Sequence, residues 1–462
     1  MTDQGEEWKA MDATLRRYDP RDASDIVARA RRGIEAHRKR DVELRVVDGE
    51  GRALPHVALA VQQTRHEFPF GDQLWDLDAM VRFGEQDLDR CRAWRRRFAD
   101  VLTSANALCY WTERPRNDGA KSEDRQGEQR LDGFAWCVDW ARSEGLTVKG
   151  HPLFWPVPKA VPAWVARYDH ATRMTFLEAR VRSLVARFKG KVGIWDAVNE
   201  QLWEPAFKNL DQREWPHLDP VPDLADSIAP VLRWARDEDP DATFLVNDYG
   251  LEADPETGPP RHRDGTPVTA RLQRQRMLAL VDELAKCGSA PDGIGLQSHT
   301  GGWLDHREQS ALYDEMASSG LPVHITEFWA DTRHLDGKLP REEIDRLQAE
   351  YIANYLTCAF GHVSVDSFFF WGFMGAGVRW HGERSGHDIT PTYERVLDLL
   401  TRQWRTSVAI TTDSDGIARF RGFFGDYAIR FRTPLGPRSI PLRIDRHATG
   451  PFRIQAVGAN RR

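Results

Sequence analysis

Eight times between residues 66 and 403, a short run of β-branched or aromatic residues gives way to a stretch with helical periodicity. The runs are "HEFPFG" (66–71), "ALCYW" (107–111), "LTVKGHPLFW" (146–155), "VGIWDAVNE" (192–200), "TFLVNDYG" (243–250), "GIGLQSH" (293–299), "LPVHITEFW" (321–329) and "SFFFWG" (367–372). The helical stretches fall near 86–101, 129–144, 174–189, 222–237, 268–287, 307–319, 341–360 and 391–403. Alternation sustained this long predicts an α/β chain folded as a (β/α)8 TIM barrel over residues 65–404. Reactive groups in that architecture gather at the C-terminal ends of the strands. The residues expected there are Phe70, Asn106, His151, Trp155, Glu200, Asp248, Gln297, His299, Glu327 and Trp371. A purely structural barrel has no need of so many polar and aromatic side chains on one rim.

The chain has 462 residues, 41% of them hydrophobic, which is more than the barrel alone uses. Residues 41–64 hold two alternating runs around a Gly-containing turn and are expected to form a β-hairpin. Residues 405–462 also alternate, with turns at "DSDG" and "FFGDY". The two segments are expected to pack together as a small accessory β-module that braces the barrel, with carbohydrate binding as the alternative role. Residues 1–40 precede them as a helical extension. Its Arg-rich stretch "ARARRGIEAHRKR" (28–40) reads as the solvated face of an amphipathic helix, with Ile26, Val27, Ala30 and Ile34 on the other side.

The net charge is −6, with both signs mixed along the chain, so neither a nucleic acid nor a membrane surface is the expected partner. The first twenty residues lack the apolar segment of a signal peptide, and no stretch is long and apolar enough to span a bilayer. The expected location is cytoplasmic; export by another route, or a trimmed signal, stays open. Five scattered cysteines, Cys91, Cys109, Cys137, Cys287 and Cys358, argue against a disulfide framework and against a zinc site. No metal and no cofactor is expected. The 17 tryptophans are the compositional outlier, and several stand at strand ends beside carboxylates or histidines. Flat indole faces in such places suit the C–H faces of sugar rings.

Glu200 ends the fourth run and Glu327 the seventh, positions that face each other across the mouth of an eight-stranded barrel. Two carboxylates so placed fit glycoside hydrolysis, one as general acid, the other as nucleophile or base. Glu200 follows Asn199, whose amide can hold a sugar hydroxyl, and the nearby Trp203 is an apolar neighbour that favours the protonated acid. Glu327 is within reach of His299 on the adjacent sixth strand, and strand alternation counts against His324 in that role. A histidine bonded to a carboxylate keeps it ionised and oriented, as a nucleophile requires. A metal-dependent hydrolase using His151, Asp248 and His299 lacks any closely spaced histidine pair at a strand end.

In order and spacing, "GHPLFW" (150–155), "WDAVNE" (195–200), "NDYG" (247–250), "GIGLQSH" (293–299), "HITEF" (324–328) and "FFWG" (369–372) resemble glycoside hydrolase family 10, most of whose members are endo-1,4-β-xylanases. The resemblance covers residues 64–404. It implies Glu200 as acid/base and Glu327 as nucleophile of a double displacement that cleaves β-1,4-xylosidic linkages. It further implies sugar contacts from Asn106, His151, Trp155, Asn199, Gln297, His299, Trp371 and Trp380, and a Pro-x-Tyr opening of the last barrel helix in "ITPTYE" (389–394). The chain departs from the family after the second strand. Where xylanases carry T-x-E-N-x-x-K-W, it has "TSANALCYW" (103–111): Asn106 matches, Ala105 replaces the Glu, and Cys109 or Tyr110 replaces the Lys. Pro156, Thr300 and Phe328 also differ from the usual residues, and Glu113 is a new acid near the mouth, suited to a hydroxyl or to a salt bridge with Arg114 or Arg116. Xylan or xylo-oligosaccharides are therefore one expected substrate. A short or aglycone-bearing β-glycoside is the alternative, and a non-catalytic carbohydrate-binding barrel a third.

Overall fold

The computed structural model describes residues 23–111, 123–125, 128–157, 160–210, 215–255, 257–300, 303–376, 378–380, 387–433 and 436–456. Eight parallel strands close into a barrel: Phe70–Gln73, Ser104–Leu108, Thr147–His151, Ile194–Asn199, Thr243–Asp248, Gly293–Leu296, Val323–Ala330 and Val365–Phe370. Each neighbours the next in sequence, and the eighth pairs with the first. Their faces toward the helices are apolar, and one cluster of buried residues from Ile34 to Phe423 joins barrel and helices. On the other face the sixth strand carries Gly293 and Gly295. A Cβ there would strike His324 and Asn247 respectively, so both glycines leave room for polar side chains of neighbouring strands.

Two elements begin elsewhere than the sequence pattern suggests. The first strand starts at Phe70, which therefore lies at the closed end of the barrel, its ring 5.0 Å from Phe360 and 6.0 Å from Trp404. Phe70 is thus core and not rim. The second strand is Ser104–Leu108, and the "CYW" that extends the apolar run is loop folded over the strand end. Asn106 is consequently mid-strand and completely buried.

Outside the barrel, two sheets face each other across a separate core of Val42, Leu44, Val46, Leu59, Val61, Ile429, Phe431 and neighbours. One sheet has the order Ile417–Phe423, Lys39–Val47, Phe452–Gln455; the other has Ser407–Thr411, Ala58–His66, Gly425–Thr433, Gly436–Ile444. Strands 39–47 and 58–66 therefore do not form the expected hairpin: they lie in different sheets, each paired with strands from beyond residue 406. The turn between them crosses from sheet to sheet, as a sandwich requires.

The sandwich meets the barrel at its closed end. Buried Arg38 donates to the carbonyls of Phe360 (2.7 Å), His362 (2.6 Å) and Val365 (2.5 Å), and its guanidinium lies 4.8 Å from the centre of the Phe68 ring. Burial brings its pKa down to about 10. Helix Ser24–His37 buries Ile26, Val27 and Ile34 and crosses helix Arg341–Gly361 at Gly33 and Gly361, where a Cβ on either glycine would collide with backbone of the other helix. No described helix is long and apolar enough to cross a membrane.

Candidate active site

The open end of the barrel is assembled around two residues held in left-handed backbone, Glu200 at φ +60° and Ser298 at φ +59°. Such conformations persist only where neighbours enforce them. Glu200 N–H donates to the Asn247 carbonyl at 2.8 Å, and buried Asp248 accepts the amides of Leu202 and Tyr249, both at 2.9 Å. Glu252 performs the same service for Ser298, accepting its N–H at 2.7 Å. Burial drives both carboxyls upward, Asp248 well above the carboxylate range. Asp248, expected at the rim, is thus a buttress of the loop that carries Glu200.

A chain of amides joins the two glutamates. Asn247 Nδ2 donates to Glu327 Oε1 at 3.0 Å and to Asn199 Oδ1 at 2.8 Å. Gln297 Nε2 donates to the same Asn199 oxygen at 3.1 Å and to Glu200 Oε1 at 3.0 Å. Thr326 fixes the orientation of Asn247 by donating to its Oδ1 at 2.6 Å. Trp155 Nε1 donates to the other Glu200 oxygen at 2.7 Å. Trp155 therefore supplies the indole bonded to Glu200. Trp203 bonds instead to the Tyr249 carbonyl at 2.7 Å and stacks between Tyr249 and the half-exposed Trp215.

Glu327 is buried, and its Oε2 lies 3.1 Å from His299 Nε2. His151 Nδ1 is 3.8 Å from its Oε1. Burial pushes the Glu327 pKa up, but the positive fields of His151, His299 and Lys149 outweigh it and hold the carboxyl below its ordinary value. Burial likewise lowers His299, and the bond and charge of Glu327 more than reverse that. His324 bonds Ser367 at 2.8 Å, consistent with the alternation argument.

Below this level, fully buried Asp196 takes the ammonium of Lys149 and His151 Nδ1 (2.6 Å) on one oxygen. Burial raises the Asp196 pKa, and these two partners bring it below normal. Acid and imidazole atoms of His151, Asp196 and Glu327 lie within 4.8 Å of one another, a spacing that could hold a cation. Lys149 already supplies the positive charge there.

On the opposite side the lining is aromatic. Tyr110 packs 5.5 Å from Trp155, 5.6 Å from His151 and 6.1 Å from Trp75, and Trp371 lies 5.3 Å from His151 and 6.2 Å from His299. The Tyr110 hydroxyl is raised well above its ordinary pKa, by burial first and then by the charges of Glu327 and Glu200. Both glutamates thus bear on one phenol. Cys109 turns the other way, its thiol 3.6 Å from the Pro152 carbonyl.

The structure brings Glu200, Glu327, His151, Trp155, Asn199, Gln297, His299 and Trp371 together as the sequence suggests. Asn106 stays beneath the site with no exposed surface. Trp380 lies in a short strand whose side chains are not described, and Glu113 falls outside the described residues. Sequence reasoning missed Asn247, Asp196, Lys149 and Tyr110. The signal for Lys149 was available: it stands two residues before His151, hence on the same face of the strand.

Residues 119–393 match the profile described as Glycosyl hydrolase family 10. An anti-sigma-I factor, RsgI6, of Acetivibrio thermocellus is 27% identical over 426 residues, which cover 91% of this chain and 48% of that protein. Endo-1,4-beta-xylanase 2 of Arabidopsis thaliana is 26% identical over 399 residues, covering 86% of this chain and 32% of that one. The chain thus spans half or less of the length of these relatives. Among solved structures, the native xylanase 10B of Thermotoga maritima superposes with a TM-score of 0.53 at 20% identity, covering 73% of this chain and 95% of that one, which supports the barrel. With the profile matched over more than half of its residues and the barrel closed as above, the chain belongs to glycosyl hydrolase family 10.

Proposed function

We propose that the chain is a retaining β-glycoside hydrolase that cleaves β-1,4-xylosidic linkages of xylan or xylo-oligosaccharides by double displacement. The observation that carries this reading is the pair of glutamates joined through Asn247, Asn199 and Gln297, one of them buried and held ionised. Glu327 attacks the anomeric carbon, and the carbon–oxygen bond to the leaving group breaks as Glu200 delivers its proton to that oxygen. In the second half Glu200 takes a proton from water, the water oxygen bonds to the anomeric carbon, and Glu327 leaves as carboxylate. Asn199 accepts two bonds on Oδ1, which leaves its Nδ2 to donate to the sugar 2-hydroxyl. His151, Trp155 and Trp371 surround the glycone, and His299 orients Glu327. Asn106 reaches a sugar in this scheme only if the cover above it moves. Tyr249, Trp203 and Trp215 offer a stacked wall for the leaving group.

A second reading keeps the chemistry and shortens the substrate. It is favoured by Tyr110, an aromatic ring packed on Trp155 where the family resemblance leads one to expect a lysine that grips a second sugar. The test is turnover of xylohexaose against aryl β-xyloside and aryl β-glucoside, with the first-formed anomer followed by proton NMR. Xylobiose and xylotriose from the hexamer support the first reading; single xylose units, or turnover of aryl glycosides alone, support the second. An α-anomer as first product overturns double displacement in either.

A further inference from the structure

Asp72 lies at the end of the first barrel strand and has no solvent exposure. Its Oδ1 accepts the N–H of Gly372 at 2.9 Å and its Oδ2 that of Met374 at 2.7 Å. These amides belong to the turn that follows the eighth strand, three hundred residues away in sequence. The turn opens on Trp371, whose own N–H bonds the Phe328 carbonyl at 2.9 Å. It then reverses at Gly372, whose φ of +106° an L side chain rarely adopts. Trp371 is thereby fixed on both sides: its own N–H bonds the seventh strand, and the N–H groups of Gly372 and Met374 bond Asp72 of the first. Its indole stands 5.3 Å from His151 and 6.2 Å from His299, the two histidines that face Glu327.

We propose that Asp72 is a positioning residue that sets the Trp371 indole against the glycone through the Gly372–Met374 turn. The proposal rests on the glycosidase reading above. A carboxylate suits the task because its two oxygens lie in one plane and accept two amides of one tight turn at once; a serine or threonine hydroxyl has a single oxygen to offer. It is also a costly choice. Burial raises the Asp72 pKa to about 7, and what opposes burial is backbone amides, those of Met374, Gly372, Gln73 and Phe373. A buried acid whose hydrogen bonds among the described residues come from backbone amides is retained at a cost in stability, which points to the geometry of the turn as what it serves.

A double-mutant cycle tests this. Catalytic efficiency on an aryl β-xyloside is measured for the wild type, Asp72→Ala, Trp371→Ala and the double variant, with Tm for each. Each single change is expected to lower kcat/KM by about 10–100-fold, the scale of a misplacement near 1 Å. The double variant should fall no more than about threefold below Trp371→Ala, because residues that act through one another are not additive. Losses that multiply overturn the proposal. Asp72→Asn, which keeps one acceptor oxygen, should recover part of the loss and provides the folded comparison if the alanine variant does not fold. A readout independent of turnover is ¹⁹F NMR of protein labelled with 5-fluorotryptophan. The Trp371 resonance, assigned by its loss in Trp371→Phe, should shift or broaden in the Asp72 variants; an unmoved resonance overturns the proposal. A wild type inactive on every glycoside with a normal ¹⁹F response would fault the glycosidase reading and leave the Asp72–turn linkage standing.

Discussion

The mouth of this barrel has two unlike halves. Strands four to seven contribute Asn199, Glu200, Asn247, Gln297, His299 and Glu327, and each of these is tied to another member by at least one hydrogen bond. Strands one, two and eight and the loops that follow them contribute Asp72, Asn106, Tyr110 and Trp371: the rings of Tyr110 and Trp371 pack on Trp155 and His151, Asp72 accepts two backbone amides, and both side-chain polar atoms of Asn106 are buried without a partner among the described residues. The family profile begins its match at residue 119, past the first two strands, and runs through the eighth to residue 393. A bonded half tolerates little change, because replacing one member strands the polar atoms of the next. An apolar half can be recut one ring at a time. On the glycosidase reading, the first half performs the reaction and the second selects the sugar.

Substitutions on the two sides can break that contrast. Glu327→Ala should lower kcat by about 10⁵-fold or more on every substrate, with the fold retained by circular dichroism. A loss smaller than tenfold would remove Glu327 from the chemistry. Glu200→Ala should slow poor leaving groups by roughly 10²–10⁴-fold while sparing the first step on dinitrophenyl glycosides, which need no proton. Equal losses on both would contradict its role as acid. Asn247→Ala should cost about 10²-fold in kcat/KM and roughly 1–3 kcal/mol of stability, since Thr326, Asn199 and Glu327 all lose a partner. Tyr110→Ala, across the mouth, should alter an aryl xyloside rate less than tenfold and change product length instead. If Tyr110→Ala proves the more damaging of the two, the comparison fails. The smallest effect is electrostatic. Glu327 holds the His299 pKa above its ordinary value, so Glu327→Gln should lower it, reducing the fraction protonated near pH 7; ¹⁵N NMR of the histidines reads this directly.

How much of this was legible in the sequence follows the same division. Period-two alternation and strand ends pointed to Glu200, Gln297, His299 and Glu327, because these stand where apolar runs stop. Asn247 lies one residue inside its strand end, and Asp248, at the end itself, proved to be a loop buttress. Which indole meets Glu200 depends on how a loop returns, so Trp155 could not be preferred to Trp203 from spacing. The second strand was displaced because "CYW" continues an apolar run while covering the mouth from a loop. The mispaired hairpin has a similar origin: alternation shows that 39–47 and 58–66 are strands, but a strand's partner is a long-range choice.

That choice bears on how the molecule assembles. Strand 39–47 waits for 417–423, and strand 58–66 for 407–411 and 425–433. During synthesis both emerge early with open edges, while the chain between residues 66 and 407 is still being made. Contacts so distant are slow to close, and bare edges invite pairing with other chains in the interval. The sandwich is therefore a late-fastened clasp. Losing either of its strand sets would leave the other with unpaired backbone and a half-exposed core, and aggregation during expression would be the first symptom.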